Sequence, residues 1–435
     1  MPVTQFTVPE KYTYNVGLGS YHHSEALKGA NPVAQNSPQV PPYKLLTECI
    51  SGTSFTTPRN LNLSVWMYRV TASINRGRYV PYTAETASSK AAASPMTYSP
   101  NFLHWDDFRL EPGYDWVSSQ KVILSSGDIA TKTGFSYLVF AATKDMAPNT
   151  AYYSSDGDTL IIPQAGVLDI KTELGYLMVR PNEIAMIPRG LKYRVTLPAG
   201  SARGYICELR QGHFRLPELG TIGTSGLANA RDFQIPVAVF DGTITEGVAS
   251  CPAAEWTIIR KYNDSLFSCT RNQTPFDVAA WHGSYYPYKY DLGRFSVLGS
   301  LLYDHPDPSI FTVLSAPSFR EPGTAVVEFC IFPPRWQVME NTYWLPPYHM
   351  NTMSEFIGII MKDPEPNPNT VFKPFGGMLT GAMTPHGSDK KEHDAERAKA
   401  FKPAKVATEP VMAFLLESAS IPGVAEWASK IVIEK

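Results

Sequence analysis

What most limits the fold of this chain is its punctuation. Short runs of β-branched and aromatic residues, such as Ser64-Val65-Trp66-Met67-Tyr68-Arg69-Val70 and Phe135-Ser136-Tyr137-Leu138-Val139-Phe140, are cut repeatedly by Pro, Gly and Asn. The 37 prolines leave little room for long helices, because proline removes a backbone donor and clashes with the preceding helical turn. Aromatics at 12%, including 23 tyrosines, favour the pleated surface instead. A mostly β protein of short strands and turns is expected.

Composition then excludes several partners. At 435 residues and 43% hydrophobic, the chain can bury a large core and divide into domains. Its 38 basic and 40 acidic residues are interspersed and nearly cancel, so no clustered basic face is available for nucleic acid. No apolar run approaches the roughly 18 residues of a membrane span, and Met1-Pro2-Val3-Thr4-Gln5-Phe6 lacks a charged-then-apolar leader. Five scattered cysteines read as reduced thiols. Together these features predict a cytoplasmic protein with no membrane partner.

From Lys121 the strand signal becomes regular. Runs at 135–140, 159–163, 166–172, 176–179 and 184–195 follow one another, with a hairpin turn expected at Asp156-Gly157-Asp158. Strand, turn, Pro188-Arg189-Gly190 and strand, in that order, have the rhythm of a cupin-type jelly roll. Metal-binding cupins usually carry a histidine just after that turn, and here the slot holds Tyr193, so the unit at about 121–235 is expected to be metal-free. New strands after Asp291 place a boundary there, giving an N-terminal β domain at 1–291 and a C-terminal cupin domain at 292–435. Before Lys121 the chain reads as irregular arms or edge strands, with a loop or short helix at 87–94. The aromatic cluster at 281–290 reads as packing between domains, the Pro-rich stretch 363–370 as a loop over the site, the charged run 389–405 as a solvated helix or linker, and 422–434 as a short amphipathic helix.

Chemistry gathers in 346–386. His349 and Glu355 are six residues apart, which on an extended strand sends both side chains to one face, whereas a helix separates them by about 120°. His386 follows 31 residues later, beyond a Gly/Pro-rich excursion that can return a neighbouring strand. Two histidines and a carboxylate are the donors of the facial triad that leaves positions open on non-haem Fe(II). An ordinary hydrogen-bonded histidine, a surface glutamate and a turn histidine fit the same spacing. His305, between Asp304 and Asp307, fits either a tuned base or a turn residue.

Nine stretches in order, at 36–43, 51–56, 153–158, 226–233, 281–290, 304–314, 332–336, 353–356 and 383–387, together resemble the homogentisate 1,2-dioxygenase family along nearly the whole chain. The resemblance implies an N-terminal β domain with a metal-free cupin unit, a C-terminal cupin domain holding Fe(II), and a homo-oligomer, a trimer or a hexamer of two trimers. It also implies His349, Glu355 and His386 as metal ligands, His305 as the base, a small phenolic or hydroquinone substrate, and O2 as co-substrate. The implied activity opens homogentisate to maleylacetoacetate in tyrosine and phenylalanine breakdown. Departures fall among the candidate substrate contacts His305, Tyr348, Met350, Pro364 and Thr380. The family's lid tyrosine is Pro364, its histidine six residues before the last ligand is Thr380, and the arginine after the first ligand is Met350. These departures leave open a paralogue that cleaves a bulkier, less acidic phenol. A cupin binding protein without turnover and a metalloisomerase are the readings from other classes.

Overall fold

The computed structural model of the chain describes residues 4–83, 95–218, 228–297, 308–338, 348–361, 373–400, 402–406 and 412–433. The expectations for 87–94 and 363–370, and those for His305 and Pro364, lie outside the described residues.

The first unit is built from nine strands: β1 (Lys121–Ser126), β2 (Phe135–Ala142), β3 (Thr150–Ser154), β4 (Asp158–Gly166), β5 (Leu168–Thr172), β6 (Gly175–Val179), β7 (Glu183–Ile187), β8 (Tyr193–Thr196) and β9 (Ala202–Leu209). Their antiparallel pairs are nested: β2 with β9, β3 with β8, β4 with β7 and β5 with β6. A ribbon folded on itself in this way and rolled into two sheets is a jelly roll. One sheet contains the order β7-β4-β9-β2-β1 and the other β6-β5-β8-β3. The expected hairpin at Asp156-Gly157-Asp158 is therefore a crossing, since β3 and β4, on either side of it, lie in different sheets. Where β1 turns into β2 the backbones touch. Gly134 has φ +75°, and a Cβ there would lie 2.0 Å from the Ser126 carbonyl oxygen, so only glycine fits.

The second unit repeats the plan with β10 (Thr312–Pro317), β11 (Ala325–Phe332), β12 (Arg335–Gln337), β13 (Ser354–Met361), β14 (Gly377–Thr380), helix α1 (Lys390–Ala398), β15 (Ala404–Val406) and β16 (Met412–Ser418). Here β11 pairs with β16, β12 with β15 and β13 with β14, again nested. The main sheet runs β14-β13-β16-β11-β10, position for position the order of the first unit. The charged run after His386 does form a solvated helix, α1, capped by Asp389, whose side chain accepts from Glu392 N.

The two units are interlocked rather than merely adjacent. Strand Leu103–Trp105, far before the boundary, pairs with β14 of the second unit, while Gly423–Ala425, far beyond it, pairs with β1 of the first. Among the described residues of the expected 422–434 helix only Glu426–Ser429 is helical, because the free edge of β1 takes up the preceding residues as a strand. Between the units, Tyr205 donates to the Gly376 carbonyl at 2.8 Å and packs edge-on against Phe414. The aromatic cluster also lies elsewhere than expected: Trp281 is buried within the N-terminal region, where its indole donates to the Leu174 carbonyl at 3.0 Å. The early residues form more than arms, since His22–Glu25, Val278–Gly283, Ser64–Arg69 and Leu46–Ser51 make a four-stranded sheet.

A buried charge pair pins the start of β4. Asp158, fully buried, receives Arg189 Nε at 3.0 Å and His213 Nδ1 at 2.5 Å, and His213 Nε2 lies 2.8 Å from the Gly52 carbonyl. Both ring nitrogens face acceptors, so both carry protons. Burial pulls the His213 pKa down, but Asp158 outweighs it and holds the imidazole above its ordinary value. A raised pKa adds stability that is complete below the unfolded value of about 6.5 and is lost as pH rises through the folded value. Replacing His213 by Gln should therefore cost about 1.5–3 kcal/mol near pH 5.5 and clearly less near pH 9. Thermal melts at the two pH values check this, and an equal loss at both would show that the histidine is not charged in the fold.

Candidate metal centre

The three candidate ligands reach one place from a sheet strand and from an isolated bridge beside it. Glu355 is the second residue of β13, where its cross-strand partners are Thr380 on β14 and Glu417 on β16. His349 and His386 face each other as an isolated antiparallel bridge, with His349 N donating to the His386 carbonyl at 3.1 Å and His386 N returning the bond at 3.0 Å. The chain bends at 352–353 between His349 and β13. His349 and Glu355 thus converge across a change of direction and do not share the single extended strand that their spacing suggests.

One ligand atom from each of the three residues lies within 4.8 Å of the others, and Glu355 is buried while the histidines are half-buried. The tautomer of His386 shows what the cluster suits. Its Nδ1 lies 2.9 Å from the Thr384 carbonyl, which can only accept, so Nδ1 carries a proton and Nε2 is the nitrogen left to face the cluster. That Nε2 is buried, has no hydrogen-bond partner among the described residues, and sits 3.3 Å from Glu355 Oε2. A ring nitrogen and a carboxylate oxygen so placed are satisfied by a positive charge between them, a proton or a metal ion. The Glu355 carboxylate accordingly raises the His386 pKa, against the desolvation that lowers it. The donor set and the orphaned nitrogen both fit a divalent metal.

Of the candidate substrate contacts, Thr380 is buried and opposite Glu355, hence on the same face of the sheet. Tyr348 and Met350 flank His349 and are each 58% exposed, with the Tyr348 ring lying against His393 of α1. The structure does not bring these two into the cluster. Conversely, it adds residues that spacing does not reveal. Ser315, Glu328, Glu417, Glu355 and Thr380 are successive cross-strand partners, one row across five strands. Burial, reinforced by the neighbouring Glu355 and Glu328, pushes the Glu417 carboxyl up to about 7. The signal available in the sequence is an acid at the end of the apolar run Met412-Ala413-Phe414-Leu415-Leu416-Glu417.

The first unit shows what the same register holds without a metal set. Thr159 is opposite Ile187 and Glu208, as Glu355 is opposite Thr380 and Glu417. The pair matching His349 and His386 is Tyr152 and Tyr193, both buried, with Trp116 donating to the Tyr193 hydroxyl at 3.1 Å. Glu208 is met by Lys261 at 2.7 Å, so an internal ammonium satisfies the acid there.

Comparison with known proteins decides the family. Residues 13–292 match the family model described as homogentisate 1,2-dioxygenase N-terminal, and 293–434 match its C-terminal counterpart. The chain belongs to the homogentisate 1,2-dioxygenase family. Among curated members, the homogentisate 1,2-dioxygenase of Emericella nidulans is 50% identical over 99% of this chain and 94% of its own length. That of Drosophila melanogaster is 43% identical over 97% and 94%, and that of Homo sapiens 40% identical over 96% and 92%. Family membership makes the chain an enzyme and a dioxygenase.

If the triad is the metal-binding set, Glu355→Ala should lower the bound metal to a small fraction of one ion per chain while the metal-free melting temperature stays near that of the parent. Elemental analysis after anaerobic loading tests this, and an unchanged metal content would remove Glu355 from the ligand set.

Proposed function

We propose that this chain is an Fe(II)-dependent ring-cleaving dioxygenase that converts homogentisate and O2 to maleylacetoacetate. The observation that carries the reading is the convergence of His349, Glu355 and His386, with His386 Nε2 turned toward the Glu355 carboxylate, in a chain similar over nearly its full length to homogentisate 1,2-dioxygenases. Iron supplies a Lewis acid and an electron-exchange partner for dioxygen. His349, Glu355 and His386 would hold it, a set of three donors that does not by itself fill the coordination of such an ion. Thr380, on the face of Glu355, presents a hydroxyl to the substrate where the family's histidine stands. His305, outside the described residues, takes the phenolic proton. In the overall reaction one ring carbon–carbon bond breaks and both oxygen atoms enter the product.

The enzyme is a cytosolic homo-oligomer on this reading, a trimer or hexamer. Five free cysteines, four of them buried, support the reducing compartment. Val33, Val40 and Phe55, exposed at 91%, 80% and 85% on the early segment, support coverage by another subunit.

Oxygen uptake by Fe(II)-loaded protein on adding homogentisate tests the activity. One O2 consumed per homogentisate, with the ultraviolet absorbance of the ring-opened product, is expected. No uptake from protein holding one iron per chain would overturn it in favour of a different phenol. Thr380→His should lower KM for homogentisate by about the worth of one hydrogen bond to a charged group, roughly tenfold. An unchanged KM would place Thr380 outside the substrate site.

A further inference from the structure

Resting on the metal reading of His349, Glu355 and His386, we infer that Glu417 is a positioning residue for that set and acts through Asn351. Asn351 sits just before the bend between His349 and Glu355, and its polar groups tie three pieces of chain together. Its side-chain amide donates to Glu417 Oε1 on β16. Its side-chain oxygen accepts from Met353 N at 3.1 Å, just ahead of Glu355. Its backbone carbonyl accepts from Met383 N at 2.7 Å, in the turn that leads to His386.

Glu417 is the fixed end of this clamp. Strand β16 is paired on both sides, with Glu417 opposite Glu328 and Glu355, so its backbone has no freedom to follow the loop. The bend that carries His349 and the turn that carries His386 are therefore referred to the same strand that flanks Glu355. The first unit contains the same device. Ser154 stands two residues after Tyr152, as Asn351 stands two after His349, and its hydroxyl donates to Glu208 Oε1 at 2.8 Å. There the bend carries no ligand and the acid is also met by Lys261. In the second unit no salt bridge from Lys or Arg reaches Glu417 among the described residues, and the clamp holds a ligand-bearing loop. Groups that hold ligands in place without touching the metal typically govern about 10–100-fold of metal affinity.

The test uses the full chain, stripped of metal and titrated anaerobically with cobalt(II), followed by calorimetry and visible absorption. Glu417→Ala and Asn351→Ala should each weaken cobalt binding about tenfold or more and change the spectrum. The double variant should be no worse than the weaker-binding single one, because both remove the same bond. Glu417→Gln keeps an oxygen that accepts from Asn351 and should stay within about threefold, with the parent spectrum. Unchanged affinity and spectrum in Glu417→Ala, or independent addition of the two alanine effects, would overturn the inference. Should Glu417→Ala fail to fold, Asn351→Ala binding cobalt as the parent does would overturn it equally. Tight cobalt binding by His349→Ala is the separate result that removes the metal reading itself.

Discussion

Antiparallel hydrogen bonding between nested strands decides which side chains share an interior, and the site depends on that register. With β13 held between β14 and β16, Glu355 is bound to lie beside Thr380 and Glu417, and the His349–His386 bridge closes the other side. A slip of one residue in β13 would turn Glu355 to the opposite face and bring Phe356 in its place. The geometry of the cluster is thus a property of the ladder before it is a property of the side chains it gathers.

The two jelly rolls show how little of that ladder specifies chemistry. At matching register one unit holds Tyr152, Thr159 and Tyr193, the other His349, Glu355 and His386. An acid on the middle strand, Glu208 or Glu417, is common to both. A buried carboxylate is costly without a counter-charge. The first unit supplies one through Lys261, and its rings at the matching positions, Tyr152 and Tyr193, are both buried. In the second, no Lys or Arg meets Glu417 among the described residues, and Asn351 donates to it instead.

Much of this was legible in the residues. The strands read at 64–70 and 135–140, the turn at Pro188-Arg189-Gly190 and Tyr193 after it follow from local pattern, and the family follows from motifs spread along the chain. What escaped is what depends on distant pairing. The 156–158 crossing resembles a hairpin because both need the same turn residues, and only the sheet assignment separates them. Residues 423–425 look helical until the edge of β1 claims them. Glu417 and Asn351 have no signature in spacing, since their meeting is set by which strands are neighbours.

Exchange of the Leu103–Trp105 and Gly423–Ala425 strands bears on how the protein is made. A ribosome delivers the first jelly roll long before the segment that completes its outer edge. Until Gly423–Ala425 emerges, β1 presents unpaired backbone donors and acceptors, an open template for a foreign strand. The first half must wait, nearly finished, for the last part of the chain, and those final residues act as a lock that turns two folded halves into one cooperative body.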